Sequence, residues 1–186
     1  MIIQDDTFIS AEQQTVLKRV LMENSSWTFS AATNYETPDS QSILTEHESF
    51  QFESHIVPQS PLFYSVKELI DSFLTKHGVS VRDVLRLKTN VLTQSKNSNP
   101  HSAHIDADIP HLVFLYYVND SDGDTVFYDK TWEPGLSLTA SDLTEKIRVS
   151  PKMGRGVLFD GLQYHASSSP IDSNYRCVIN FTFVPN

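Results

Sequence analysis

From Pro61 to Lys76 apolar residues recur at helical spacing. Leu62, Phe63, Val66, Leu69, Ile70, Phe73 and Leu74 form one stripe, which predicts an amphipathic helix packed on a sheet. Ser60-Pro61 opens it, with proline at the first helical position, where a missing N–H leaves nothing unpaired, and Lys76-His77-Gly78 closes it. His77 reads as a cation at that C-terminus. A second helix is predicted upstream, after a short strand at Ile2-Ile3. Ser10 is its N-cap, Gln13 completes a capping box, and Val16, Leu17, Val20 and Leu21 share one face. Between Asn24 and Ser60, the apolar residues Trp27, Phe29, Tyr35, Phe50, Phe52, Ile56 and Val57 are scattered among polar ones, so short strands and loops are expected.

After Gly78 the period changes to two. Leu85, Leu87 and Val91 take one face of a strand, while Arg86, Lys88 and Asn90 take the other. Such a polar face suits either an edge strand wetted on one side or a strand lining a small-molecule pocket, in which Asn90 would hydrogen-bond a bound acid or substrate. A polar loop, Thr93 to Asn99, follows. His111 to Asn119 is apolar on both faces and is expected as a central strand. The turn Asn119 to Asp124 should return it as a hairpin into Thr125-Val126-Phe127-Tyr128. Lys130 to Lys146, with Trp132, Pro134-Gly135 and a short helix capped by Ser141 with Glu145 nearby, reads as a flap over a site. Val149 to Gly156 turns into Val157 to Asp160, and Gly161 turns again before Tyr164-His165. A last strand runs from Tyr175 to Val184, with Arg176, Val178, Asn180 and Thr182 on one face and Cys177, Ile179, Phe181 and Phe183 on the other. At least seven short strands, with helices confined to the first half, predict a mainly β jelly roll or small barrel whose mouth holds a ligand.

At 186 residues the chain suits one domain, 1–186, with residues 1–80 as a supporting region and 81–186 as the core. The 23 acidic residues outnumber 14 basic ones, and the net charge of −9 without a basic run argues against a nucleic-acid partner. One cysteine, Cys177, forms no internal disulfide, and the N-terminus has neither a basic nor an apolar targeting region. A reducing, cytoplasmic setting is expected. No apolar run approaches the roughly 18 residues of a membrane span.

The candidate chemistry centres on Asn99-Pro100-His101-Ser102-Ala103-His104-Ile105-Asp106. In an extended segment His104 and Asp106 point to one face and can grip one ion. Two histidines and one carboxylate on one face, with open positions opposite, suit a non-haem Fe(II) oxygenase. His165, after a glycine turn, can supply the third ligand from across a barrel. Arg176, on the next strand, presents a permanently charged fork for a carboxylate deep in the pocket. The Asp-rich turn around Gly123 lacks the alternating ligands and closing Glu of a calcium loop. His47 and His55 read as surface or hydrogen-bonded histidines, and His101, Asp108 and His111 as neighbours of the site rather than ligands.

Several of these features coincide in one family. The segment from about Leu85 to Phe183 resembles the catalytic core of the Fe(II)- and 2-oxoglutarate-dependent dioxygenases, in their prolyl 4-hydroxylase-like branch. The resemblance rests on His104-Ile105-Asp106, Tyr116-Tyr117-Val118-Asn119 followed by Gly123-Asp124-Thr125-Val126-Phe127, Pro151-Lys152 with Gly154-Arg155 before Leu158-Phe159, His165 and Arg176. It implies a double-stranded β-helix with Fe(II) on His104, Asp106 and His165. It also implies 2-oxoglutarate with its distal carboxylate on Arg176 and Tyr117, O2 as oxidant, and hydroxylation of a peptide residue or small molecule with release of succinate and CO2; ascorbate can serve as an accessory reductant. Two departures bear on the substrate: many collagen-type hydroxylases carry Lys where this chain has Arg176, and Gly123-Asp124 stands for their Gly-Gly-Glu. A different reading is a cupin-like jelly roll that binds a metal or ligand without oxygen chemistry. Substrate choice is expected in the loops Thr93 to Asn99 and Lys130 to Lys146.

Overall fold

A computed structural model describes residues 1–33, 42–43, 45 and 47–186; Tyr35, part of the stretch expected to form short strands and loops, lies outside them. Among the described residues the elements are β1 (Ile2–Asp5), α1 (Ala11–Asn24), β2 (Thr28–Ser30), β3 (Gln51–His55), α2 (Pro61–Lys76), β4 (Val81–Thr93), β5 (Leu112–Tyr117), β6 (Thr125–Thr131), a 3-10 turn (Ala140–Asp142), β7 (Glu145–Val149), β8 (Gly156–Asp160), β9 (Gln163–Ser167) and β10 (Tyr175–Pro185). They form two antiparallel sheets: a large one in the order β1-β8-β5-β10-β4-β3-β2 and a small one in the order β7-β6-β9. This is the expected double-stranded β-helix.

Both helices form where local chemistry directs. The Ser10 side chain accepts from Gln13 N–H while the Gln13 side chain accepts from Ser10 N–H, and Ser60 caps α2 through Phe63 N–H. Gly78, at φ +66, takes the left-handed conformation that ends α2. Leu62, Val66, Leu69, Ile70, Phe73 and Leu74 bury against Leu87, Val91, Phe114, Cys177, Ile179, Phe181 and Phe183, so α2 covers the outer face of the large sheet. In α1 the buried face narrows to Leu17 and Leu21, and Val16, expected with them, is 46% exposed. His77 does more than face a helix end: its Nε2 lies 3.0 Å from Asp5 Oδ2, where Lys76 also reaches, tying α2 to β1.

Three expectations change. β5 is central, between β8 and β10, but it does not form a hairpin with β6. The turn instead carries the chain from the large sheet to the small one, and the Asp122 carboxylate holds the crossing by accepting the N–H groups of Ile171, Asp172 and Ser173. Apolar alternation marks both strands but cannot say which sheet each joins. β4 is not an edge strand; it lies between β10 and β3, so its polar face is turned inward. Within 130–146 the short helix is a single 3-10 turn capped by Thr139, two residues before Ser141, because Asp142 bonds back to Thr139; Glu145 already begins β7.

Candidate metal centre

The segment from Pro100 to His104 runs beside β9 through isolated bridges rather than as a full strand. His101 N–H donates to Ser167 O, and His104 and His165 exchange backbone hydrogen bonds of 2.9 and 3.1 Å. The N-terminal half braces this segment from its other side: Ile43 N–H donates to Ala103 O, and Glu48 accepts the Ser102 N–H at 2.6 Å. His165 is therefore the lateral neighbour of His104, not its counterpart across a barrel.

One nitrogen from each of these histidines and one oxygen of Asp106 all lie within 4.8 Å of one another. In each ring the Nδ1–H donates to the carbonyl two residues earlier, Ser102 O at 3.2 Å and Gln163 O at 3.0 Å. That fixes the tautomer whose lone pair is on Nε2. Burial keeps both rings neutral: it holds His104 well below the ordinary imidazole value, with His165 adding to the effect, and pushes His165 down to about 4. Phe159 and Phe127 wall the His165 ring, at 4.8 and 6.2 Å between centroids.

The Asp106 side chain is 2% exposed. Its Oδ1 accepts from Arg86 Nη2, while Oδ2 sits 3.4 Å from His165 Nε2 and has no hydrogen-bond partner among the described residues. Two neutral imidazoles and a buried carboxylate oxygen with an unused lone pair fit a divalent metal, and this donor set is the one that suits Fe(II) with open positions.

These residues line one side of a cavity of about 340 Å3. Arg176 lines it too, 4% exposed, on the inner face of β10. Its Nη2 donates to Thr125 Oγ1 at 2.8 Å, its Nε has no partner, and among the described residues it forms no ion pair. A buried cation in that condition fits an anionic ligand. Tyr117 is fully buried behind it, with the guanidinium 5.6 Å from the ring centroid and the hydroxyl donating to Thr125 Oγ1 at 2.7 Å. Asn90 lines the cavity as well and donates to Gln51 Oε1 at 2.8 Å. The structure thus brings His104, Asp106 and His165 together and opens Arg176 and Asn90 to the same cavity, with Asn90 opposite Val178 in the strand register and Tyr117 packed against Arg176.

Thr125 and Arg86 were not anticipated as site residues. Thr125 carries no sequence signal beyond following Gly123-Asp124. Arg86 did carry one, the alternation Arg86, Lys88, Asn90 on a strand whose other face is apolar. His101, set aside as a neighbour, is buried between the Ser167 and Ser169 hydroxyls. Neither 93–99 nor 130–146 contributes to the cavity lining; Thr33, Ser42 and Gln51 do. Trp132, Leu138 and Leu143, from the expected flap, pack instead on Ile105 and Tyr164. No described helix is long and apolar enough to cross a membrane.

No protein-family profile matches the sequence, and no curated protein sequence matches it. Solved structures do match in fold. The non-haem, α-ketoglutarate-dependent epimerase SnoN from nogalamycin biosynthesis superposes with a TM-score of 0.65 at 10% identity, over 98% of this chain and 78% of that one. A Pseudomonas putida prolyl-4-hydroxylase matches at 0.59 and 15% identity, over 98% and 92%. HygX from Streptomyces hygroscopicus, solved with nickel, 2-oxoglutarate and hygromycin B, matches at 0.61 and 12% identity, over 100% and 83%. The likeness is one of fold across essentially the whole described chain.

Proposed function

We propose that this chain is an Fe(II)- and 2-oxoglutarate-dependent dioxygenase that hydroxylates a C–H bond of a peptide residue or small molecule. The observation that carries the reading is the convergence of His104, Asp106 and His165 on one cavity that also exposes the buried guanidinium of Arg176, which has no ion-pair partner among the described residues. Bound there, Fe(II) with 2-oxoglutarate and O2 would supply the oxidative decarboxylation that releases succinate and CO2 and places one oxygen atom on the substrate, with ascorbate as an accessory reductant.

The protein's own residues bind and orient. Nε2 of each histidine and Oδ2 of Asp106 would hold the metal, with the Nδ1–H contacts to Ser102 and Gln163 keeping both rings in the ligating tautomer. Arg176 would take the distal carboxylate of 2-oxoglutarate, held at the correct depth by Thr125 and supported from behind by Tyr117. Phe127 and Phe159 keep water from the back of His165. Asn90, held by Gln51, would hydrogen-bond a bound acid or substrate. From the N-terminal part, α2 supports the large sheet and Glu48 the His104 segment, while Thr33, Ser42 and Gln51 complete the cavity wall. The single buried thiol of Cys177 suits a reducing, cytoplasmic setting.

The test is 2-oxoglutarate turnover. Purified chain with Fe(II), ascorbate and air should convert 2-oxoglutarate to succinate, faster with an accepted substrate. Under anaerobic conditions it should show the visible charge-transfer band of an Fe(II)–2-oxoglutarate chelate. Absence of both the band and succinate would favour a binding module over an oxygenase.

A further inference from the structure

Besides Arg176, the polar wall of the cavity carries two further cations, Arg86 and Lys88. Arg86 and Lys88 stand two residues apart on β4, so both leave the inner face of the large sheet. The register with β10 places Asn180 beside Lys88 and Thr182 beside Arg86. Arg86, Lys88 and Asn180 all line the cavity, on the same face as Arg176. Their side chains are largely covered, Arg86 at 31% and Lys88 at 15% exposure. Burial pulls Lys88 below its ordinary value, and the charge of Arg86 pulls it further.

Each cation has a carboxylate nearby, but one of these is shared. Glu53 lies 3.1 Å from Lys88 and its charge also reaches Arg86, while among the described residues the ion pair of Arg86 is with Asp106, the carboxylate whose other oxygen belongs to the metal triad. Arg86 Nε is buried without a hydrogen-bond partner. Once Asp106 is drawn to a metal, Arg86 and Lys88 share Glu53, and an anion entering beside them would offset the remaining charge. Arg176 cannot serve that anion if it is already holding 2-oxoglutarate.

We propose that Arg86 and Lys88, with the Asn180 amide beside them, form a second anion subsite that takes a carboxylate of the primary substrate. The substrate is then a small carboxylic acid, oxidised at a carbon within a few bonds of that carboxylate. The cavity, at the small end of the roughly 300–1,000 Å3 range of ligand sites, must take this acid together with the cosubstrate, which disfavours a large molecule. This inference rests on the reading above, because it takes Arg176 as filled by 2-oxoglutarate.

The test uses the full chain loaded with Mn(II), a redox-inert paramagnetic stand-in for Fe(II), and saturating 2-oxoglutarate. Acetate is the carboxylate probe, acetamide its uncharged counterpart and inorganic phosphate the competing anion. The expected result is accelerated relaxation of the acetate methyl protons and none for acetamide. Lys88→Gln should lower the acetate effect at least five-fold, with Lys88→Arg restoring it. Lys88 is chosen over Arg86 because it does not touch a metal ligand, and Lys88→Arg keeps the experiment readable if Lys88→Gln misfolds. Equal relaxation of acetate in Lys88→Gln and the parent would overturn the subsite, as would an acetamide effect as large as that of acetate. Displacement of acetate by phosphate at lower concentration would overturn the carboxylate assignment. The 2-oxoglutarate methylene protons are read in the same spectra. If they are not relaxed, the cosubstrate reading fails and the subsite falls with it; relaxed 2-oxoglutarate with unaffected acetate overturns the subsite alone.

Discussion

His104 and His165 hold each other by their backbones: each N–H donates to the other's carbonyl, at 2.9 and 3.1 Å, and the rings lie 4.5 Å apart between centroids. Ring placement therefore follows from strand pairing, and removing a ring leaves the pairing in place. His165→Ala should stay folded and lose stoichiometric Mn(II) or Fe(II) binding, as measured by calorimetry alongside circular dichroism. A variant that still binds one metal ion per chain would remove His165 from the ligand set.

Asp106→Ala should lose the metal and also lower stability, because Arg86 then faces the cavity unpaired. Breaking a fully buried ion pair from one side costs roughly 3–5 kcal/mol. Here about 1–2 kcal/mol is expected, since Arg86 remains 31% exposed and is partly screened. Urea unfolding of the metal-free protein reads this directly, and an unchanged midpoint would mean that Arg86 gains nothing from Asp106.

Arg176→Gln should raise the dissociation constant of 2-oxoglutarate at least about thirty-fold, corresponding to the roughly 2–5 kcal/mol lost when one partner of a buried charged pair is truncated. Arg176→Lys keeps the charge without the fork and should fall between the two. Anaerobic titration of the Fe(II) protein measures both, and near-equal affinities would place the cosubstrate elsewhere.

Gly123 is required by closeness rather than by a positive φ. A Cβ there would lie 2.6 Å from Ser168 O and 3.1 Å from Arg176 Cδ. Gly123→Ala should cost about 1–3 kcal/mol in stability, the usual range for overpacking. It should also weaken 2-oxoglutarate by displacing Arg176, while metal affinity stays within about two-fold, since such a shift leaves the triad alone. Loss of metal binding in step with 2-oxoglutarate would contradict so local an effect.

Acid should destabilise the metal-free protein through its buried histidines. His101, 2% exposed, is pushed by burial from 6.5 to about 4. Both states are neutral above the unfolded value, so its contribution is fully present there. As pH falls from 6.5 toward 4 the unfolded chain takes up the proton first, and stability drops by roughly 1.4 kcal/mol per pH unit for this group. His165 adds to the same slope. The melting temperature should fall steadily between pH 6.5 and 4, and His101→Gln should make the fall shallower; parallel profiles would exclude His101 as a source.

The parts of the fold that could be read from sequence are those set by neighbours along the chain. Ser10 with Gln13, Ser60-Pro61 and Gly78 mark helix ends through bonds spanning three or four residues, and the α2 stripe needs only a periodicity. The β5–β6 turn misled because alternation records that a strand has two faces, not which sheet it joins. The three residues of the candidate metal centre could be picked out because His-x-Asp and a later histidine are distinctive residue types in a distinctive order. Arg86 was not, since its contact with Asp106 spans twenty residues and appears only once β4 is enclosed by β3 and β10.

Thr125 sits where the two layers meet. It starts a strand of the small sheet, yet its hydroxyl oxygen accepts from Tyr117 and Arg176, both rooted in the large one. That oxygen works as a rivet between the layers. A molecule reaching from Arg176 to His165 spans the same seam, so its affinity is at once cohesion between the sheets, and filling the cavity should tighten the whole sandwich.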